Sequence, residues 1–311
     1  MEDLTKILIK EKFEDIYGQD DVKLQVRSAI MMRRNIILVG PPGVGKTTLA
    51  KNIAKILPDI SITNFEGKNE KVKGEDRFVR VQGSPDLTAE DLIGDIDPIK
   101  AIKFGPLDIK SFTPGKIFKA NGKILFFDEI NRCSEKLQNA LLQVLEEKTA
   151  SISSYDVDVE SDFIFIGTMN PNDISTENLS DVFLDRFDLI YMGYPENFKI
   201  EEKIVTTKGK EIVEFPKKLL DFTIKFVREL RLHDDLEKVP SVRATIGLYE
   251  RAQANAMLLG RKKVNYQDIE SAAISVLTHR IRLKPSVKYL KTPEKVIMET
   301  LEKFKEEGDI P

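Results

Sequence analysis

The sequence predicts an α/β domain, built on a parallel five-stranded sheet flanked by helices and followed by a small all-helical domain. Five short runs rich in Ile, Val and Phe occur before Pro195, helical patterns separate them, and helical patterns alone follow. Buried parallel strands are short continuous apolar runs, and helices commonly provide the crossover connections between them. We therefore expect a core domain over residues 1–195 and a helical domain over residues 196–311.

The predicted strands alternate with helices, as in repeated strand–helix units. They are Ile36–Val39, Phe78–Val81, Ile124–Phe127, Phe163–Ile166 and Leu189–Met192. After Pro195 no run forms a convincing strand. One helical face is instead formed by Ile269, Ala273, Val276, Leu277 and Ile281. Asn265 is placed to cap that helix, and Gly260 to end the preceding one.

The composition excludes several classes of protein. The 311 residues carry 48 Lys and Arg against 51 Asp and Glu, a formal net charge of −3, which argues against attraction of the whole protein to nucleic acid or an anionic membrane. A local basic channel stays possible. The single cysteine, Cys133, excludes an internal disulfide framework, and we expect it to be a small packed residue. His233 and His279 are isolated, so we expect no protein-ligated transition metal.

The sequence shows no sign of membrane insertion or secretion. No apolar run approaches the roughly 18 residues of a membrane span, and the first residues, MEDLTKILIKEKF, lack the features of a secretory signal. We therefore expect a soluble, cytoplasmic protein.

A glycine-rich loop is the strongest local signal. It follows the strand Ile36–Val39 and matches the phosphate-loop pattern G-x-x-x-x-G-K-[ST] in full. Its residues are Gly40, Pro41, Pro42, Gly43, Val44, Gly45, Lys46 and Thr47. The apolar stripe of a helix comes next, formed by Leu49, Ile53, Ile56 and Leu57 and stopped by Pro58. The strand and helix on either side favour a nucleotide site over a simple Gly/Pro turn.

Each residue type in the loop has a chemical reason to bind a nucleoside triphosphate. Glycines let the backbone wrap closely around a phosphate, and the amides of residues from Gly43 to Thr48 would point at the phosphates with help from the helix N-terminus. Lys46 would neutralise the β- and γ-phosphates, and Thr47 would hold Mg²⁺. The expected ligands are therefore ATP and Mg²⁺.

Two carboxylates end the predicted strand Ile124–Phe127. Asp128 and Glu129 there are the expected partners of a phosphate loop. Asp128 would orient Mg²⁺ through its water shell, and Glu129 would accept a proton from the attacking water. Alternatively, both acids simply face solvent at a strand end.

The residues around these motifs resemble the MoxR family of AAA+ ATPases, in an ordered set that runs from about Gly18 to Leu283. The set comprises Asp128–Arg132, Leu137–Glu147, Gly167–Pro171, Leu184–Asp188 and Ser241–Ala244. The resemblance implies ATP hydrolysis at a site completed by three further residues. Asn170 would be the sensor 1 amide, Arg186 an arginine finger that reaches the nucleotide of the neighbouring subunit, and Arg243 the sensor 2 residue of a helical lid.

Each of these three roles has a structural alternative. Asn170 could simply form an Asn-Pro turn, Arg186 could pair on the surface with Asp185 or Asp188, and Arg243 could be a solvated arginine at a helix start. An arginine finger would require an oligomer, and the resemblance implies a homo-oligomeric ring, expected to be hexameric.

Two further segments also match the family. In Arg80–Gly94, Thr88 and Asp91 have capping-box spacing, and the stretch up to Lys116 resembles a family insert that faces the ring pore or a client. Residues 149–162 lie where the family has a β-hairpin. Its acids Asp156, Asp158, Glu160 and Asp162 alternate with other residues, which predicts a solvated acidic strand face. We also expect Arg261, Lys262 and Lys263 to form a solvated turn.

The resemblance implies a chaperone-like ATPase that remodels or matures partner proteins, including metal insertion or complex assembly, often with a partner that bears a von Willebrand factor A domain. A nucleic-acid motor of the same clade is one alternative, although the net charge and the acidic hairpin weigh against it. A nucleotide switch without turnover is another, and Glu129 and Arg186 argue against it. ATP is preferred to GTP because we find no Asn/Thr-Lys-x-Asp motif for reading guanine.

Overall fold

The computed structural model of the protein describes residues 2–63, 65, 67–152, 155, 157–171 and 179–306. The chain divides into two compact units, Met1–Pro41 with Gly45–Met192 and Pro42–Val44 with Gly193–Pro311. Among the described helices, none combines the length and the apolar character needed to span a membrane.

The first unit contains the predicted alternation of strands and helices. Its helices are α1 (Glu2–Lys10), α2 (Asp20–Met31), α3 (Lys46–Ile56), α4 (Ala89–Ile93), α5 (Pro98–Phe104), α6 (Lys116–Lys119), α7 (Glu135–Glu147) and α8 (Asp181–Leu184). Its strands are β1 (Ile36–Val39), β2 (Ile60–Thr63), β3 (Asn69–Val72), β4 (Phe78–Gln82), β5 (Gly94–Ile96), β6 (Phe112–Pro114), β7 (Ile124–Asp128), β8 (Thr149–Ile152), β9 (Val157–Glu160), β10 (Ile164–Met169) and β11 (Asp188–Tyr191).

All five predicted strands form one sheet in the order β11-β1-β10-β7-β4, and every neighbouring pair is parallel. The predicted fold class is confirmed. The bounds differ slightly, because β10 begins at Ile164 and runs on to Met169. Strands β1 and β7 are buried almost throughout, as expected for a sheet covered on both faces. Cys133 is fully buried in the same core, as expected.

The predicted β-hairpin before Asn170 is confirmed as the antiparallel pair β8–β9. Asp158 and Glu160 are exposed on it, in agreement with a solvated acidic face, whereas Asp156 lies outside the described residues. The expectation was wrong for Asp162. That carboxylate lies beyond the end of β9 and pairs with Arg33 at 2.8 Å and with Lys148 at 3.4 Å.

The segment after β4 contains the predicted capping box and an exposed insert. Thr88 and Asp91 cap α4 reciprocally through side chain and backbone. Between the paired strands β5 and β6 lies α5, around which large apolar side chains point to solvent. Ile99, Ile102 and Leu107 are 80%, 89% and 85% exposed.

The second unit is mainly helical. Its helices are α9 (Phe198–Lys208), α10 (Lys217–Leu232), α11 (Val242–Leu258), α12 (Tyr266–Leu277) and α13 (Pro293–Glu306), with strands β12 (Leu236–Lys238) and β13 (Arg282–Leu283). The expectation of helices without a strand was wrong, since β12 and β13 form a short antiparallel pair. Strands of three and two residues carry too few side chains to show an alternating pattern.

Helix α12 forms largely as its sequence pattern indicates. Asn265 caps it in a reciprocal capping box with Asp268, and Gly260 follows α11 with a positive φ of 71°. Ile281 is buried but lies beyond the helix in extended backbone, so its assignment to the helical face was wrong. The expectation of a solvated turn was also wrong for Arg261, which donates to both carboxylate oxygens of the buried Asp268 at 2.6 and 2.5 Å.

Candidate functional site

The motifs predicted from the sequence meet at one edge of the sheet. Gly40 follows β1, Asp128 ends β7 and Asn170 follows β10. Strand β10 lies between β1 and β7 with parallel pairing on both sides. Because the strands are parallel, their carboxyl ends share an edge, which is the usual position of ligand sites in open α/β sheets.

The glycine-rich loop needs its glycines for backbone geometry. Gly43 and Gly45 have φ values of 82° and 101°, in the left-handed region that favours glycine. Gly40 has a different constraint, because a Cβ atom there would lie 2.2 Å from the carbonyl oxygen of Met192. These positions therefore tolerate side chains poorly, which explains the glycines of the loop.

Lys46 begins α3, directly after the loop. Its Nζ donates to the carbonyl oxygens of Gly40 and Pro41 at 2.6 and 2.9 Å. Thr47 and Thr48 follow in the first turn, where helical amides lack acceptors within the helix. The ammonium group thus contacts the loop, and the first turn of α3 presents these amides, an arrangement suited to binding phosphate.

Asp128 is held by neighbours on both sides. The hydroxyl of Thr168 on β10 donates to Oδ1 at 2.7 Å, and the guanidinium of Arg80 on β4 donates to Oδ2 at 2.7 Å. The carboxylate is 15% exposed. It therefore does not simply face solvent, and it already attracts a cation.

Glu129 adopts a backbone conformation that is uncommon for a residue with a side chain. Its φ and ψ are 58° and 52°, in the left-handed region. Its N–H donates to the hydroxyl oxygen of Thr168 at 2.9 Å. Its Oε2 accepts from the amide of Gln82 at 3.0 Å and lies 3.3 Å from Nε of Arg132. Backbone strain of this kind is concentrated at functional sites.

Asn170 lies at the end of β10, one residue beyond Met169. The amide of Asn131, which is buried, donates to the backbone carbonyl of Asn170 at 3.2 Å. The segment that follows Glu129 is therefore tied to the segment that follows β10.

Arg186 lies between α8 and β11. Its Nε donates to Oε1 of Glu146 on α7 at 2.6 Å, and it also donates to the carbonyl oxygen of Val182. The surface-pairing alternative named the wrong partner, since Asp188 pairs instead with Arg34 at 2.9 Å. That hydrogen bond raises the pKa of Arg34.

Arg243 belongs to the second unit. It is the second residue of α11 and is exposed. Within that unit Arg243 is therefore a solvated arginine at the start of a helix, which is the structural alternative given for it above.

Three residues at this edge were missed by reasoning from the sequence: Arg80, Gln82 and Thr168. The signal that could have found them is their position near the ends of strands next to β7. Gln82 is paired in register with Asp128, and Gly167, which precedes Thr168, is paired with Phe127. This inference needs the strand order, which periodicity alone does not determine.

The donors at this edge fit a magnesium ion. Mg²⁺ prefers oxygen ligands and is commonly held by one or two protein groups together with water and substrate phosphates. Thr47 offers a hydroxyl and Asp128 a carboxylate, and the guanidinium of Arg80 already lies against that carboxylate. Thr47 and Asp128 would therefore hold the ion.

Comparison with known proteins gives the class. Residues 35–187 match the AAA domain of the dynein-related subfamily, and residues 229–300 match an AAA lid domain. A homologue of magnesium-chelatase subunit ChlI from Methanocaldococcus jannaschii is 30% identical over 328 residues, which span 88% of this chain and 86% of the relative. The chaperone MoxR1 of Mycobacterium tuberculosis is 26% identical over 302 residues, spanning 86% of this chain and 73% of the relative.

The fold is shared with solved structures. A chain of the complex between subunits BchI and BchD of magnesium chelatase has a TM-score of 0.50 and 21% identity, covering 89% of this chain and 98% of that chain. The protein belongs to the AAA+ ATPases. Within that class it is a MoxR-like AAA+ ATPase, which confirms the family resemblance and ATP hydrolysis as its activity.

Proposed function

We propose that this ATPase forms a ring and uses ATP hydrolysis to remodel or mature a partner protein. The observation that supports this best is the arrangement at the sheet edge. The phosphate loop, the Asp128–Glu129 pair and Asn170 meet there at the ends of parallel strands. The relatives include a protein named as a chaperone and one named as a magnesium-chelatase subunit homologue.

The phosphate loop binds the triphosphate. Amides of residues 43–48 and the ammonium of Lys46 compensate its negative charge, and glycines leave room for its oxygens. Thr47 and Asp128 would hold Mg²⁺, which would supply charge neutralisation at the phosphates. ATP is preferred to GTP.

Glu129 acts as the general base toward the attacking water. Its carboxylate is 35% exposed, so water reaches it, and the amide of Gln82 donates to Oε2 at 3.0 Å and orients the group. Asn170 donates a side-chain hydrogen bond to the γ-phosphate or to that water. The two acids have different surroundings, which is consistent with separate roles: the guanidinium of Arg80 donates to Asp128 at 2.7 Å, whereas Nε of Arg132 lies 3.3 Å from Oε2 of Glu129.

Arg186 completes the site of a neighbouring subunit. It stabilises charge that develops in the transition state, as an arginine finger does in related phosphoryl transfers. A homo-oligomer, expected to be hexameric, follows from this role. Hydrolysis is then coupled to assembly.

The chain works as a nucleotide-binding core, residues 1–195, and a lid, residues 196–311. The division of compact units at Met192 and the lid match over residues 229–300 support this assignment. Arg243 on the lid senses the nucleotide, a role carried by the family resemblance. Changes in the lid transmit the nucleotide state to the client.

The partners we propose are a protein client and a protein with a von Willebrand factor A domain, acting in the cytoplasm. Nucleic acid is disfavoured as the substrate by the net charge of −3 and by the exposed acids Asp158 and Glu160 of the hairpin. Binding to single-stranded DNA at low salt would be the result that favours a nucleic-acid motor.

The test combines ATP turnover in Mg²⁺ with mass by light scattering for the wild type, Glu129→Gln and Arg186→Ala. We expect turnover by the wild type, almost none by either variant, and retained ATP binding with a larger assembled fraction for Glu129→Gln. Arg34→Ala is a matched control for Arg186→Ala, because it also removes an arginine from an ion pair that is in contact with solvent. Normal hydrolysis by monomeric Arg186→Ala would contradict a shared site.

A further inference from the structure

Thr168 is a buried polar residue next to the catalytic acids. It is the fifth residue of β10, and its side chain has no exposed surface. A threonine hydroxyl in such a position has to be hydrogen-bonded, since burying it unpaired is costly. The hydrogen-bond partners of Thr168 therefore indicate why β10 carries a hydroxyl next to β7, where the other buried side chains are mainly apolar.

The hydroxyl makes two hydrogen bonds of opposite direction. It donates to Oδ1 of Asp128 at 2.7 Å and accepts from the backbone N–H of Glu129 at 2.9 Å. A hydroxyl can do both at once, whereas a carboxylate or an ammonium group cannot. One side chain on β10 thus contacts both acidic residues at the end of β7.

Each hydrogen bond restricts one feature of the acid pair. The bond to Oδ1 leaves Oδ2 of Asp128 as the oxygen that faces a cation, the position now taken by Arg80 at 2.7 Å. The bond from the Glu129 amide holds a left-handed backbone, with φ of 58°, at the residue whose side chain has to reach the water. Loss of the hydroxyl would therefore release both the Asp128 carboxylate and the Glu129 backbone.

We propose that Thr168 is a positioning residue that orients Asp128 toward Mg²⁺ and fixes the backbone of Glu129. This inference rests on the proposed nucleotide site. Thr168 would touch neither the nucleotide nor the ion, and it would act through Asp128 and Glu129. It also connects the strand that carries Asn170 to the strand that carries the acids.

The test compares Thr168→Val, Thr168→Ser and Thr223→Val with the wild type. Valine keeps the shape and removes the hydroxyl, whereas serine keeps the hydroxyl. Thr223 is a matched control, because it is equally buried and its hydroxyl donates to the carbonyl of Leu219 on a lid helix at 2.7 Å. The readouts are the thermal midpoint without ligand, the affinity for a fluorescent non-hydrolysable ATP analogue in EDTA and in Mg²⁺, and ATP turnover.

We expect Thr168→Val to bind the analogue normally in EDTA but to lose most of the gain in affinity that Mg²⁺ provides. Its half-saturating Mg²⁺ concentration should rise about tenfold or more, the size expected when a hydrogen bond to a charged group is removed. ATP turnover at a fixed Mg²⁺ concentration should fall as the affinity for Mg²⁺ falls. Thr168→Ser should restore both, and Thr223→Val should lower the thermal midpoint without changing the Mg²⁺ dependence.

Three results would overturn the proposal. They are an unchanged Mg²⁺ dependence in Thr168→Val, a failure of Thr168→Ser to restore it, and an equal change in Thr223→Val. If the wild type itself shows no Mg²⁺-dependent binding of the analogue, the nucleotide site as proposed is wrong, which is a separate outcome from a wild-type site that is insensitive to Thr168.

Discussion

Nε of Arg186 lies 2.6 Å from Oε1 of Glu146, so the arginine proposed to act on a neighbouring subunit is tied to a helix of its own subunit. Glu146 is 53% exposed and Arg186 is 28% exposed. Ion pairs in contact with solvent stabilise by about 0–1 kcal/mol. Such a contact orders the arginine in the free subunit but is weak enough to be exchanged for a nucleotide.

Replacing Glu146 by Gln should release Arg186 and favour the shared site. We expect the protein concentration for half-maximal ATP turnover to fall, by about two- to fivefold, because the competing ion pair is worth about 1 kcal/mol at most. Turnover measured over a dilution series checks this. Glu147→Gln is the control, since that neighbouring carboxylate accepts a hydrogen bond from Gln143 instead. An increase in the half-maximal concentration would mean that Glu146 helps to present Arg186 for assembly.

Arg80 should compete with Mg²⁺ for Asp128. Its guanidinium donates to Oδ2 at 2.7 Å and is half exposed. A unit charge near a carboxylate in water contributes about 1 kcal/mol, so Arg80→Gln should lower the half-saturating Mg²⁺ concentration about fivefold. Magnesium titrations of ATP turnover and of analogue binding measure this, with Arg34→Gln as the control. A higher Mg²⁺ requirement in Arg80→Gln would show instead that the arginine supports the ion or the phosphates.

Glu201 should be essential for the stability of the lid. It is fully buried, and its two oxygens accept hydrogen bonds from Arg231 at 2.6 Å each, with a further bond from the hydroxyl of Thr245 at 2.7 Å. Neutralising one partner leaves a buried arginine without its counter-charge, which costs about 3–5 kcal/mol. We expect Glu201→Gln to lower the free energy of unfolding by this amount in denaturant titrations.

The adjacent Glu202 provides the control for this change. Its carboxylate is 27% exposed and pairs with Lys217 on the surface, so Glu202→Gln should cost no more than about 1 kcal/mol. Equal losses in the two variants would refute the importance of the buried cluster. Thr245→Val should fall between them, because it removes one hydrogen bond and leaves the charges paired.

Asp268 should make the lid sensitive to acid. Burial alone would raise the pKa of Asp268, but hydrogen bonds from Arg261 and from the backbone of Asn265 outweigh burial and hold the pKa below its usual value. A lowered pKa means that folding favours the ionised form. The stabilisation is therefore complete above the pKa of the unfolded chain, about 3.9, and is lost as the pH falls through the lower pKa of the folded state.

Asp268→Asn should remove this part of the pH dependence. We expect a loss of about 1–3 kcal/mol near neutral pH, where charge-assisted hydrogen bonds are broken, and a smaller difference between variant and wild type below about pH 4. Unfolding by denaturant at several pH values measures both. A difference that stays constant with pH would show that the carboxylate contributes through its shape and neutral hydrogen bonds.

Most of the architecture could be predicted because its signals are local. A strand such as β7 consists of consecutive apolar residues, and the capping box of Asn265 and Asp268 lies within four residues. The bounds of individual elements were predicted less accurately. Ile281 matches the helical period of α12 but lies after its end, because the same apolar side chain can be buried from extended backbone as well as from a helix.

The site was predictable where chemistry is carried by consecutive residues. The proposed phosphate loop Gly40–Thr47 consists of consecutive residues, so its pattern can be recognised in the sequence, and the Asp128–Glu129 pair is recognised at the end of a buried strand. Contacts between strands leave no such pattern. Arg80, Gln82 and Thr168 could be connected to the acids only once the sheet order placed β4 and β10 on either side of β7.

The amino-acid sequence alone thus determined the class of fold and the family, and it supplied the proposed phosphate loop and acid pair, since each depends on residue type and short spacing. The tertiary structure decided which side chains hold those acids and that Arg186 pairs with Glu146. The physical reason is the range of the interactions. Backbone propensity and motif spacing act over a few residues, whereas a hydrogen bond between strands depends on the position of residues that are distant in the chain.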